Sequence, residues 1–307
     1  MIMLFLLMLF FVLAPTVYGQ DRVESPKDTA ALESFFISDD DSWDRRMLKP
    51  GVEHFQQHFK DDNGIPRFIN LVAIDLDESD VEVKVTASYV FGGKPHRMAI
   101  SEYGEKSEAL VAINAGFAGR SSSDYYNSGI LRIAGEDIPY HDDAPEEITR
   151  FVGSAAVGID YDKKWHFVER PGENWNRWDE VEFAIAGGHM LLAGGVMKEN
   201  IRNGEGSTAI EIRHINSTHP RTAICKTNKN IVVFIVVDGR HDQATGMPLN
   251  ELAQFMLGLG CEDAINFDGG GSSTMWINDG GVVNHPSDNK IFDNKGQRRV
   301  KSAIIVK

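Results

Sequence analysis

Basic residues are scarce in this sequence. Lys and Arg number 31 against 45 Asp and Glu, a formal net charge of −14 at pH 7. A nucleic acid or an anionic membrane surface would need a basic face able to displace counterions, so the balance argues against both as partners. A local cationic pocket is still compatible with an acidic whole. Cysteine is also scarce. Cys225 and Cys261 are the only two, too few for a disulfide-stapled scaffold; two buried thiols is the simpler reading and one bridge between them the alternative. Long apolar runs are missing beyond the N-terminus. The run Ile2 to Ala14 is too short to cross a bilayer, and small and polar residues follow it, so residues 1–19 read as a secretory signal peptide. No Lys or Arg precedes that run, and no Cys near its end could carry a lipid. The expectation is a secreted or periplasmic product with no stable membrane insertion after cleavage. Residues 20–45 are charged and aperiodic, as in a flexible leader. Residues 46–307 have the length and composition of one catalytic domain, and the sequence leaves the oligomeric state open.

Alternation and β-branched runs predict strands at Phe68–Leu76, Val81–Tyr89, Leu110–Asn114, Ser154–Ile159, Val181–Ala186, Ile231–Val237, Ala264–Phe267, Thr274–Ile277 and Ser302–Val306. One helix is clear. Leu249, Leu252, Phe255, Met256 and Leu259 recur at helical spacing, with Pro248 at the start and Gly260 past the end. Many strands, few helices and abundant glycine predict an α+β domain of mixed or antiparallel twisted sheets with a few packed helices.

The strand ends carry the chemistry. Ile231–Val237 is apolar throughout, as in a strand buried on both faces, and stops at Asp238-Gly239-Arg240. After the helix, the next short strand stops at Asp268-Gly269-Gly270-Gly271-Ser272-Ser273. Strand–helix–strand predicts two adjacent parallel strands with both carboxylates at one sheet edge. Three glycines let successive amides converge on an anion and let a ligand approach the main chain. Asn114-Ala115-Gly116 and Gly187-Gly188-His189 end strands in a similar way. Each could be a tight turn alone; together they suggest a ligand site built from the loops of one edge.

These blocks, with Pro220-Arg221-Thr222-Ala223-Ile224 and the continuation Ser273-Thr274-Met275-Trp276, resemble the phosphodiester glycosidase family in the same order, from about Asn70 to the C-terminus. The sequence departs from the family's usual pattern at Ala115, Ala118, His189-Met190 and Cys225. The resemblance implies hydrolysis of a sugar-1-phosphodiester to free sugar and a phosphomonoester, without a cofactor or a metal, and a carbohydrate phosphodiester as the partner. A phosphomonoester leaves readily, so the site needs charge balance for phosphate and a carboxylate for the anomeric carbon or its water. Asp268 is the expected nucleophile or general base, and Asp238 its partner or the holder of Arg240. Arg240 first and Arg221 second are the phosphate ligands. The amides of Gly269, Gly270 and Gly271 and the hydroxyls of Ser272, Ser273 and Thr274 add donors, Asn114 grips a sugar hydroxyl, and Gly116, Gly187, Gly188 and Gly239 line the pocket. His189 is a lesser candidate acid; Trp165, Trp175, Trp178, Tyr125 and Tyr126 are candidates to stack on sugar, or to pack in the core. Two alternatives stand beside this reading: a metal-dependent phosphodiesterase or phosphatase with Asp238 and Asp268 as ligands, and a carbohydrate-binding protein without catalysis.

Overall fold

Apolar runs that alternate faces need cover on both sides, and among the described residues three sheets and four helices supply it. The structure is a computed structural model and describes residues 42–92, 96–117, 129–138, 151–169 and 177–307. In chain order the elements are β1 (Asp44–Lys49), β2 (Val52–Lys60), β3 (Pro66–Asp75), β4 (Val83–Ala87), α1 (Ile100–Ser107), β5 (Val111–Asn114), β6 (Leu131–Ile133), β7 (Glu136–Asp137), β8 (Ala155–Asp160), β9 (Trp165–Glu169), β10 (Val181–Ala186), β11 (Met190–Ala193), β12 (Val196–Met197), α2 (Glu199–Asn203), α3 (Ala209–Asn216), β13 (Arg221–Thr227), β14 (Ile231–Val237), α4 (Leu249–Gly258), β15 (Cys261–Asn266), β16 (Met275–Ile277), β17 (Gly281–Val282) and β18 (Ser302–Val306). An eight-stranded sheet has the order β1-β2-β3-β14-β13-β15-β11-β12. Two five-stranded sheets run β7-β6-β10-β8-β9 and β17-β16-β5-β18-β4.

Strand β14 shows why its sequence is apolar at every position. Val232, Phe234 and Val236 face the core shared with the smaller sheets. Ile231, Val233, Ile235 and Val237 face the second core, where α4 packs through Leu249, Leu252, Ala253 and Met256. Period-two alternation thus feeds two cores at once, each buried aliphatic side chain contributing about 1.5–3 kcal/mol. A third core lies under α1, with Ile100 and Tyr103 against Trp276 and Ile305. The fold is a single α+β domain of mostly antiparallel sheet.

Three expectations change in detail. The strands ending at Asp238 and Asp268 are not neighbours: β13 lies between β14 and β15 and runs antiparallel to both. The two acids still leave the sheet at the same edge. Cys225 in β13 and Cys261 in β15 form a disulfide rather than two thiols, with Cα atoms 5.8 Å apart. Strand β1 begins at Asp44 and pairs with β2, so the ordered sheet starts two residues before the expected domain boundary. Residues 1–41 lie outside the described residues, as do Ala118, Tyr125, Tyr126 and Trp175. No described helix is long and apolar enough to cross a membrane.

Candidate active site

The segment carrying Asp268 leaves the large sheet at Asn266 and joins β16 of a smaller sheet at Met275. Asn114, at the end of β5 and fully buried, fixes this passage. Its Nδ2 donates to the Asp268 carbonyl at 2.6 Å. Its Oδ1 accepts from Thr222 Oγ1 at 2.8 Å and from the Thr274 amide at 3.0 Å. The amide expected to hold a sugar hydroxyl is therefore engaged with β13 and with both ends of the glycine turn. The Asp268 amide adds a bond to the Ala115 carbonyl at 3.0 Å, and Gly116 is buried beside it.

Asp268 keeps part of its surface accessible, yet burial pushes its carboxyl up to about 6, against the opposing pull of Ser272, Arg298, the Gly269 amide and Arg97. Ser272 Oγ donates to its Oδ2 at 2.7 Å. Arg240 is exposed and takes φ +66, and its guanidinium lies over Gly270: a Cβ there would stand 2.8 Å from Nη2. Burial and Arg298 lower the Arg240 pKa, while Asp288 and Asp268 act to raise it. Arg298, whose field also reaches Asp268, pairs with Asp288 at 2.5 Å. A half-buried carboxyl titrating near neutrality beside two guanidiniums is an arrangement typical of functional clefts.

Asp238 is buried and does not pair with Arg240. Its Oδ1 accepts from Asn284 Nδ2 at 2.8 Å; its Oδ2 takes the His285 amide at 2.8 Å and His285 Nδ1 at 2.9 Å. Asn284 extends the network, donating to the Ser273 carbonyl at 3.1 Å and accepting from the Met275 amide at 2.9 Å. Asp238 therefore reaches Asp268 through Asn284 and the Ser273–Ser272 turn. His285 is wedged between Phe292, stacked at 3.8 Å, and the edge of Phe68 at 4.6 Å. His285 and Arg298 carry no spacing signal that ties them to Asp238 or Asp268, since these segments meet only in the fold.

The three glycines answer to close approach of neighbouring groups. A Cβ on Gly269 would stand 2.7 Å from the Pro220 carbonyl, and one on Gly271 2.5 Å from both Arg298 Nη2 and Asp288 Oδ1. Gly270 takes φ +61. The Gly270 amide donates to the Pro220 carbonyl at 2.9 Å, and the Ser272 and Ser273 amides donate back to the Gly269 and Gly270 carbonyls at 3.2 Å. The expected amide cradle takes the form of a turn of 3₁₀ helix over residues 270–272. Gly239 packs on Pro220 and Gly246, and Gly187 on the Asn266 carbonyl, each leaving under 3.0 Å for a Cβ. Gly188 donates to that same carbonyl at 2.7 Å. Ser273 Oγ and Thr274 Oγ1 are buried without a partner among the described residues. Gly269→Ala must push the Pro220 carbonyl aside, so we expect a loss of about 1–3 kcal/mol, read as a lower denaturant midpoint; an unchanged midpoint would show that the turn has slack.

Arg221 is the largest fully buried side chain. Its Nε donates to the Met247 carbonyl at 2.8 Å, and its Nη2 to His214 and Ser217 carbonyls at 2.8 and 2.7 Å. Burial and then Arg240 bring its pKa down to about 9. It ties β13 to the end of α3 and the approach to α4. Trp165 is buried in the core. Trp178 lies in the short 3₁₀ turn Trp178–Glu180, ahead of β10. His189 is buried against Glu211 at 3.1 Å. Among the described residues no three His, Cys, Asp or Glu side chains converge with metal-holding geometry.

Comparison with known proteins gives the family and the fold. The chain is 38% identical over 96 residues to bovine (Bos taurus) N-acetylglucosamine-1-phosphodiester alpha-N-acetylglucosaminidase, covering 31% of this chain and 18% of that protein. To the human (Homo sapiens) protein of that name it is 40% identical over 76 residues, 25% of this chain and 14% of the other. The chain thus matches under a fifth of the length of either relative. The structure is similar to the zebrafish catalytic domain of the same name, auto-inhibited by its pro-peptide, with TM-score 0.62 and 20% identity over 88% of this chain and 85% of that one. A hypothetical protein from Synechocystis gives TM-score 0.63 at 14% identity, covering 83% and 62%. The phosphodiester glycosidase pattern matches residues 107–307, which hold both aspartates, Asn284 and the glycine turn, and the chain belongs to the phosphodiester glycosidase family.

Proposed function

We propose that this protein is an exported hydrolase that cleaves a sugar-1-phosphodiester to free sugar and a phosphomonoester, acting on a glycan or cell-surface polysaccharide. The observation that carries the reading is Asp268, accessible, titrating at about 6, and set beside Arg240 and Arg298. Above that pH its carboxylate either takes a proton from the water that attacks the anomeric carbon, or attacks that carbon itself to form a glycosyl ester that water then hydrolyses to free sugar; in either case the C1–O bond to the phosphate breaks. The electron pair leaves with the phosphate oxygen, where Arg240 balances the charge. Ser272 orients the Asp268 carboxylate. Asp238 acts from beneath as a positioning residue, holding Asn284 and His285 and through them the turn. The buried disulfide supports export, because such bonds persist in oxidising compartments, and the apolar run before residue 20 supports a cleaved signal peptide.

Two measurements test this. Hydrolysis in oxygen-18 water is expected to place the label on the sugar; label on the phosphate would mean P–O cleavage and would end the proposal. Arg240→Ala is expected to weaken binding of a phosphodiester by about tenfold or more while leaving binding of the free sugar within about twofold. Equal loss for both ligands would remove Arg240 from phosphate recognition.

A further inference from the structure

A second pocket opens one strand beyond Asp268 along the same sheet edge, where β11 pairs with β15. It is a cavity of about 590 Å³ lined by His189, Glu211, Glu169, Lys198, Asn200 and Glu205, among others. Nothing in the proposed reaction uses these residues. At its base His189 and Glu211 are 3% and 7% exposed. Glu211 accepts on both oxygens and has no proton to give, with Oε1 paired to His189 Nε2 at 3.1 Å and Oε2 taking the Ser207 amide at 2.6 Å. The proton of His189 therefore sits on Nε2, and Nδ1 is left as a lone-pair acceptor. That Nδ1 is buried and has no partner among the described residues. Such an orphan costs about 1–3 kcal/mol unless a donor meets it.

The histidine remains neutral, since burial lowers its pKa against the opposing pull of Glu211. Around the pocket Lys198 pairs with Glu169 at 2.8 Å, and Glu205 and Asn200 add a carboxylate and an amide. Three carboxylates against one ammonium disfavour a phosphate or another anion. The polar walls disfavour an apolar guest, and the volume lies in the range of small-molecule sites. A guest that carries many hydroxyls, each able both to donate and to accept, meets the carboxylates, the ammonium, the amide and the orphan lone pair together.

We propose that this cavity binds one neutral saccharide residue, whose hydroxyls donate to His189 Nδ1 and the cavity's carboxylates and accept from Lys198 and Asn200. The inference is independent of the hydrolytic reading, because it requires only a sugar without phosphate.

The test is a titration of the nitrogen-15-labelled full chain with methyl α-glucoside, methyl α-mannoside, methyl α-galactoside and N-acetylglucosamine, each to about 100 mM, with inorganic phosphate as control. At least one sugar is expected to shift the Gly206 and Ser207 amides saturably, with millimolar Kd, and phosphate is expected not to. The Asn200→Ala/Glu205→Ala variant, which leaves the buried His189–Glu211 pair in place, is expected to raise that Kd about tenfold or more. Absence of a saturable shift at Gly206 and Ser207 with all four sugars, an unchanged Kd in the variant, or phosphate binding in their place would overturn the proposal. Shifts at residues 269–272 report the Asp268 site separately, so failure at one place is distinguishable from failure at the other.

Discussion

Asp268→Asn is expected to abolish sugar release, by about 10²–10⁴-fold if the carboxylate acts as general base, while making the protein more stable at neutral pH. The second half follows from linkage. Burial pushes the carboxyl up to about 6 in the native state from an ordinary value of 3.8, so between those values the native state binds more protons than the unfolded one. Stability then falls as pH rises through that window and levels off above about 6. An asparagine carries no charge to desolvate, and the variant should regain about 3 kcal/mol at pH 8 and almost nothing at pH 3. Parallel melts at the two values read this directly. The same ionisation should appear in the wild type as an acid limb of activity near pH 6. An Asn variant that retains full activity would remove Asp268 from the mechanism, and one that melts lower than wild type at pH 8 would show that its charge is not held at a cost.

Reduction of the Cys225–Cys261 bond is expected to lower stability by about 4 kcal/mol, from the loop of 36 positions that it closes. Both cysteines are buried, at 0% and 2% exposure, so reductant alone should act slowly in buffer and rapidly once urea opens the sheet. Urea unfolding with and without reductant, with free thiols counted at each point, measures it. Coincident transitions at a full count of two thiols would show that the strand pairing of β13 with β15 needs no covalent support.

The elements with the strongest periodicity were legible in the sequence. Ile231–Val237 and Ser302–Val306 are strands with the bounds their patterns suggest, and the helix at Leu249 ends within one residue of expectation. Strand β2 was not seen, because Gln56, Gln57 and His58 interrupt its apolar face. Strand β13 opens on a buried arginine, so its sequence carries a motif and no clean strand pattern. Without β13 in place, β14 and β15 read as neighbours. The short turn from Thr227 to Ile231, with Asn230 at φ +59, folds β13 back against β14 as a hairpin. With β3 on the other side of β14, only the outer edge of β13 remains for β15. The shared edge of the two acids survives because an antiparallel insert does not reverse the direction of the strands it separates. Side-chain partnerships were the least legible part. The pairing of Asp238 with Asn284 and His285 joins positions 46 and 47 apart, and no local pattern encodes such a distance.

The passage of the chain from the large sheet to the smaller one, secured by the Asn114 amide, has a mechanical implication. Asp268 rides on a joint whose two anchorages belong to separate sheets, so its aim is set by how those sheets rest on each other. The pieces between them, such as Val236 on one side and Ile113 on the other, act as shims. Trimming one of them should detune turnover from a distance, through misalignment of the joint and with the reacting groups themselves unaltered.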